Sequence, residues 1–340
     1  MIISKTPINE LFFTKLLDIS MRSRGLASSA LLFTQFSDYI DLELCNNMIR
    51  SYTNLKKHLY AVFVYTQMQK IGVLPNHLTF PAVLKSVAML FRIELGKLIH
   101  CWVIKMGFDP DVHVNTAMVH MYCICLSVVD GRRLFDEMPD RNPVTWNALI
   151  SGYVHNRKFK EAIDVFRKMQ KAGAKPGEVT VVGVLSACAH LGALNQGRYI
   201  HDYIRHNRLR LNVYVGTALI DMYSKCGVVD DAEKVFHMMR VKNIYTWNVL
   251  ISGYAMNGQG KAALQVFSNM LTKGFQPDEC TFLGVFCASN LYVRERRWDK
   301  AGEVREVMEK KGIKKVPGCS SIEIENVVYE FKVLRNQSDM

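Results

Sequence analysis

Metal ligation and nucleophilic chemistry would fall first to the cysteines and histidines of this 340-residue chain, nine and ten in number. The cysteines (45, 101, 123, 125, 188, 226, 280, 287 and 319) are odd in number and sit among apolar helical neighbours. That suits a reducing compartment and buried free thiols better than a disulfide framework. Cys123 and Cys125 form the one close pair, and C-x-C without a second pair at zinc spacing does not complete a four-ligand tetrahedron. The zinc-deaminase constellation, H-x-E with P-C-x-x-C, in which His and two Cys hold the metal and Glu shuttles protons, occurs nowhere in the sequence. His100 and His201 recur at one register with no second ligand type nearby, the pattern of a structural residue. No catalytic residue, metal or cofactor is expected, and the chain reads as a non-enzyme.

Electrostatics is the chemistry that remains. Lys and Arg number 43 against 31 Asp and Glu, and the net charge of +12 favours a polyanionic partner, nucleic acid or an anionic membrane surface. Lys56, Lys57, Arg132, Arg133, Arg157, Lys158 and Lys160 fall in predicted loops and second helices. Most of them belong to a solvated face, and some are expected to meet phosphates as a sequence-independent attraction. No run approaches the ~18–20 apolar residues of a spanning helix. The first residues, MIISKTPINE, lack the apolar region of a secretory signal, so a soluble, non-secreted protein without membrane contact is expected. At 49% apolar and 22% charged residues the chain can build a sizeable core, which excludes wholesale disorder.

A repeat carries these residues. TWNALISGYVHN (145–156) returns as TWNVLISGYAMN (246–257), an offset of 101, and CNNMIRSY (45–52) lies one offset earlier. The same offset takes TAMVHMY (116–122) onto TALIDMY (217–223), and Gly96 and His100 onto Gly197 and His201. A fixed period of this kind signals a stacked-repeat architecture. Prolines and helical patterns cut each block into units of 35, 35 and 31 residues: 42–76, 77–111, 112–142, 143–177, 178–212, 213–243 and 244–278. Within 143–177, Trp146, Leu149, Ile150 and Tyr153 follow i, i+3, i+4, i+7, and Ala162, Val165, Phe166 and Met169 do so again. Gly173, as a left-handed cap, and Pro176 then stop the second helix. A lone hairpin cannot bury its stripe, so neighbours must stack.

Units carrying W-N-x-L/M-I-x-G/S-Y, L-x-x-G-x-x-I-H, and T-A-x-x-x-M-Y followed by A/G-x-x-x-F resemble the plant pentatricopeptide repeat family, in its subclass of alternating P, L and S units. The resemblance begins near residue 10, leaving 1–9 as an N-terminal segment. Residues 10–41 are similar to a divergent leading S unit, with Thr14, Leu16, Leu17 and Phe33 aligned to Thr116, Met118, Val119 and Phe135. The implied fold is all-α, a right-handed α-solenoid superhelix of helix-turn-helix repeats.

The resemblance also implies a site. In this family each hairpin addresses one nucleotide of single-stranded RNA; the fifth residue of the unit reads the base with the last, and the second sandwiches it. The P units then offer Asn46 with Asn76, Asn147 with Gly177 and Asn248 with Asp278. The S units offer Thr116 with Asn142 and Thr217 with Asn243. The L units offer Pro81 with Asp111 and Val182 with Asn212, weak spacer positions because neither Pro81 nor Val182 presents a side-chain donor or acceptor. By family habit Thr with Asn favours adenine and Thr with Asp guanine. Helix capping and turn formation are the competing roles for the asparagines. Trp102, Trp146 and Trp247 recur on apolar stripes and are expected to serve packing rather than base stacking.

Residues 296–331 are similar to the E-type extension that follows the repeats in members specifying RNA editing sites. A helix with Ala301, Val304 and Met308 running to Gly312, a turn at Pro317 and Gly318, and a β-hairpin over SIEIENVVYEF are predicted there. One join departs from the family. ECTFLGVFCAS (279–289) starts an L unit in register with EVTVVGVLSAC (178–188), yet near Asn290 the sequence passes into the extension (290–340), about a repeat-pair short of the repeat spacing. A first helix left without its second is expected to expose Phe282, Val285 and Phe286.

The resemblance thus implies a sequence-specific single-stranded RNA binder, an organellar C-to-U editing specificity factor that recruits a deaminase in trans through 290–340, the sequence ending before any deaminase domain. Organellar RNA processing, stability or splicing is the alternative function. A protein-binding helical scaffold and an inactive truncated paralogue are the further ones. Family habit places the protein in the mitochondrion, with the chloroplast as alternative.

Overall fold

The computed structural model describes residues 10–23, 25–294, 319–324 and 327–332, with side chains over 13–20 and 29–288. Helices alternate with short turns: α1 (Glu10–Ser23) and α2 (Gly25–Gln35), α3 (Leu42–Asn54) and α4 (His58–Lys70), α5 (Thr79–Met89) and α6 (Ile93–Lys105), α7 (Val112–Ile124) and α8 (Val128–Glu137). There follow α9 (Pro143–His155) and α10 (Phe159–Lys171), α11 (Glu178–Leu191) and α12 (Leu194–His206), α13 (Val213–Lys225) and α14 (Val229–Met238), α15 (Ile244–Met256) and α16 (Gly260–Thr272), and α17 (Glu279–Arg294). Two strands, β1 (Cys319–Ile324) and β2 (Val327–Lys332), pair antiparallel with Ile322 opposite Tyr329.

The chain divides into two compact units, residues 1–222 and 223–340. In the first, the leading helices α3, α5, α7, α9 and α11 pack each on the next, while α4, α6, α8 and α10 each contact their own partner and the leading helix that follows. In the second, α15 packs against α14, α16 and α17. The stripes read from 143–177 are the core: Leu149, Ile150, Ala162, Val165, Phe166 and Met169 are at most 1% exposed. Leu17 and Phe33 are buried as well, and Phe33 meets Phe13 edge to face.

Close approach between leading helices explains the S-G-Y of the repeat. A Cβ at Gly152 would collide with the Cys123 side chain of α7, so only glycine lets α9 lie this near. Asn156, at the end of α9, then ties the two helices by donating to the carbonyls of Cys123 and Gly152, both at 2.8 Å. Asn257 repeats the strut on Ser224 and Gly253 at 2.9 and 2.7 Å. Gly173 takes the expected left-handed conformation, φ 72°.

The expectation at the join is corrected. Phe282 and Val285 are 3% and 1% exposed, because α17 lies across both α15 and α16 and closes their apolar faces instead of baring its own. Phe286 is half-buried, and the helix runs on to Arg294. The helix predicted around Ala301, Val304 and Met308 and the turn at Pro317 and Gly318 lie outside the described residues.

Candidate nucleic-acid interface

The last residue of each unit precedes a leading helix, where backbone N–H groups lack partners, and wherever it carries a side chain that side chain supplies one; it is adjacent to the helix in every unit but 42–76, where His77 and Leu78 intervene between Asn76 and α5. Asn142 and Asn243 cap α9 and α15, accepting from Thr145 N–H and Thr246 N–H. Asp111 accepts from His113 and Val114 before α7, Asn212 from Val215 before α13, and Asp278 from Thr281 before α17. Asn76 accepts from Leu78 and Thr79, and Gly177 caps α11 without a side chain. Capping therefore belongs to the last position, and it occupies Oδ1. The fifth residues cap nothing; they sit one turn inside the leading helix.

There they are held by a neighbour that the sequence reading passed over. The third residue of the following unit is a fully buried threonine, Thr79, Thr145, Thr180 or Thr281, each 0% exposed. Thr79 donates to Asn46 Oδ1, Thr180 to Asn147 Oδ1 and Thr281 to Asn248 Oδ1, all at 2.6 Å. Asn46 Nδ2 in turn donates to Asn76 Oδ1 at 3.2 Å, and Asn248 Nδ2 to Asp278 Oδ1 at 2.8 Å. Thr116 and Asn142 meet through Thr145, whose hydroxyl lies 2.7 Å from Thr116 Oγ1 and 3.1 Å from Asn142 Oδ1. Asn147 meets the last position only through Thr180, which accepts from Gly177 N–H at 3.1 Å. Thr217 is half-buried on α13, and Asn243 belongs to the second compact unit.

Units 77–111 and 178–212 differ as their side chains require. Pro81 and Val182 are half-buried and make no polar link to Asp111 or Asn212. Asn212 Nδ2 instead donates to Glu178 Oε2 at 2.5 Å. The signal for the missed residues lies in the sequence: Thr79, Thr145, Thr180, Thr246 and Thr281 follow units with a polar fifth residue, whereas Val114 and Val215 follow Pro81 and Val182.

Burial pushes the Asp278 carboxyl up, but the N–H and hydroxyl of Thr281 and the Asn248 amide outweigh it and hold the group below its ordinary value. Asp278 is thus charged at neutral pH, with Oδ2 unpartnered among the described residues. Beside these pairs, the second residues are exposed: apolar or aromatic at Leu78, Val144, Val179, Tyr214 and Tyr245, but Glu43 and His113 in units 42–76 and 112–142.

Trp146 and Trp247 are buried edge to face against Phe135 and Phe236, and Trp102 is half-buried beneath Lys105, so all three serve packing. His100 Nδ1 lies 2.8 Å from the Tyr122 hydroxyl inside the stack, a structural role. Burial pushes the Cys45 and Cys123 thiols up to about 12, whereas Cys101, Cys280 and Cys287 are exposed rather than buried as expected. Among the described residues no three His, Cys, Asp or Glu side chains group closely enough to hold a metal, and no helix is long and apolar enough to cross a membrane. Lys57, Arg132 and Arg133 pair with Asp18, Asp136 and Asp130, while Lys56, Arg157, Lys158 and Lys160 are exposed and make no ion pair among the described residues.

Comparison with known proteins bears on both fold and tail. Models of the PPR repeat family match residues 141–190 and 242–288, PPR repeat models match 43–73, 116–142 and 217–244, and an E motif model matches 285–323. A putative pentatricopeptide repeat-containing protein of Arabidopsis thaliana is 38% identical over 252 residues, 72% of this chain and 45% of the relative. A chloroplastic pentatricopeptide repeat-containing protein of the same plant is 29% identical over 390 residues, 86% of this chain and 65% of the relative. The chain thus spans less than half of the first relative and about two thirds of the second. The crystal structure of the pentatricopeptide repeat protein PPR10 from maize superposes with a TM-score of 0.70 at 21% identity, covering 91% of this chain and 45% of that one. With repeat models over more than half its length and the stacked helical hairpins of a solved pentatricopeptide solenoid, the chain belongs to the pentatricopeptide repeat family.

Proposed function

We propose that the protein binds single-stranded RNA in a sequence-specific way, one nucleotide to each unit, with Asn46, Asn76, Thr116, Asn142, Asn147, Gly177, Thr217, Asn243, Asn248 and Asp278 as the base-reading positions and the L units 77–111 and 178–212 as spacers. The observation that carries this reading is the repeated joining of fifth and last side chains at the start of the leading helices, direct in Asn46–Asn76 and Asn248–Asp278. Exposed second residues stand beside them to sandwich a base, and PPR10 of maize, the same fold, has been crystallised in complex with an 18-nt psaJ RNA element. The repeat array is 10–289, of which 10–41 is a leading S unit and 279–289 a partial L unit, with the P, L, S alternation between them.

The finer function is that of an organellar C-to-U editing specificity factor. The E motif match at 285–323 supports it, with 290–340 recruiting a deaminase in trans and the chain supplying the address rather than the catalysis. Loss of editing at particular sites in a null mutant, with transcript ends and splicing unchanged, is the result expected from a transcriptome comparison; altered ends or splicing with editing intact points to the processing alternative. The compartment is an organelle, and a fluorescent fusion separates mitochondrion from chloroplast. Base reading is tested by Asn243→Asp. Asp only accepts where Asn also donates, so the preference opposite unit 213–243 moves from adenine to guanine by on the order of 1–3 kcal/mol. An unchanged preference in a folded variant returns Asn243 to capping alone.

A further inference from the structure

We infer that the buried third-position threonines Thr79, Thr180 and Thr281 are positioning residues for base selection: by donating to the fifth residue of the preceding unit, they fix which atoms that residue turns toward a nucleotide. The inference rests on the RNA-reading proposal above. A threonine hydroxyl has one proton. In Thr79, Thr180 and Thr281 the oxygen already accepts from the backbone N–H of Asn76, Gly177 and Asp278, at 3.0, 3.1 and 3.1 Å, so the proton is free to go forward. Its nearest acceptor is Oδ1 of Asn46, Asn147 and Asn248, at 2.6 Å in each, while Asn76 Oδ1 and Asp278 Oδ1 lie farther from Thr79 and Thr281, at 3.1 and 2.9 Å, and Gly177 offers Thr180 no competitor; the shorter contact occupies the amide Oδ1 and leaves Nδ2 as its face. A flipped amide would set Asn248 Oδ1 against the Asp278 carboxylate, acceptor against acceptor at 2.8 Å. At Asn46 the same conflict would arise with Asn76 Oδ1, which the N–H groups of Leu78 and Thr79 fix as an acceptor.

In unit 143–177 the last residue is Gly177, which has no side chain to hold the amide, so Thr180 alone sets Asn147. Its Nδ2 has no partner among the described residues and is presented as a donor, which suits an acceptor on a base edge. The sequence carries the same logic in the negative, for Val114 and Val215 stand at the third position where Pro81 and Val182 leave nothing to orient.

The test is selection of a random single-stranded RNA pool on the full chain, with the recovered sequences read for base preference at each position. Asn147→Ala marks the position addressed by unit 143–177 by flattening it. Thr180→Val, which keeps the buried shape without the proton, is expected to flatten that same position from about fivefold or more to below about twofold and leave the others unchanged, while Thr180→Ser keeps the preference. Retained preference in folded Thr180→Val overturns the inference and leaves RNA reading standing. Absence of any positional preference in the unaltered protein overturns both. Should Thr180→Val fail to fold by circular dichroism, the gain of function decides: Val182→Asn with Val215→Thr is expected to create a preference opposite unit 178–212 that Val182→Asn alone does not. Equal preference in the two contradicts the inference.

Discussion

Asp278 does two jobs with one oxygen: Oδ1 caps α17 through Thr281 N–H and accepts the amide of Asn248, which is only 5% exposed. Asp278→Ala strands both donors and is expected to cost about 1–3 kcal/mol in urea unfolding at neutral pH. Asp278→Asn keeps an acceptor at the same place, as Asn76 does for Asn46, and is expected to retain most of that stability. Because the folded carboxyl titrates below its ordinary 3.8, its contribution is complete above that pH and is lost as pH falls from 3.8 through the folded value. Asp278→Asn abolishes this acid-dependent loss; an identical loss in the variant contradicts the assignment. At this scale the residue types and their register were legible, the unit boundaries from the repeat and the fifth and last positions from the family resemblance. The division of labour was not. Whether Asn142 caps, reads or does both depends on Thr145, one unit further on, and periodicity alone does not show which side chains the fold brings together across a turn.

Helices were the most legible elements, because the i, i+3, i+4, i+7 stripes and the Gly and Pro stops act locally. What lay beyond the sequence is how closely the helices approach. Gly152 is unremarkable in the string S-G-Y, yet its missing Cβ is the space that the Cys123 side chain fills. Gly152→Ala is expected to destabilise the chain by about 1–3 kcal/mol, and adding Cys123→Ala to recover part of that loss, giving a measurable coupling in a double-mutant cycle. Simple additivity would place the cost elsewhere. Helix α17 shows the opposite limit, where the repeat spacing alone led to the expectation of an exposed stripe. Apolar residues take the nearest apolar surface, and α17 finds it on α15 and α16. Amides of 282–288 are therefore expected to exchange as slowly as those of α15; rapid exchange across them would restore the earlier expectation of exposure.

Across the whole chain, the 101-residue recurrence made the repeat architecture legible, and the charge of +12 made a polyanionic partner the natural one. The tail was legible by resemblance, through the E motif, while most of its predicted elements lie outside the described residues. Single-stranded RNA, the proposed ligand, would be read by side chains at the hairpin ends and held by an electrostatic attraction from residues such as Lys56, Arg157, Lys158 and Lys160. The most direct measurement is the affinity of the full chain for a random single-stranded RNA pool and for the same pool annealed to its complement, each across a salt titration. The single-stranded pool is predicted to bind more tightly, with log affinity falling against log salt by roughly 0.7 for each phosphate contacted. Equal affinity for the duplex, or affinity indifferent to salt, would contradict it.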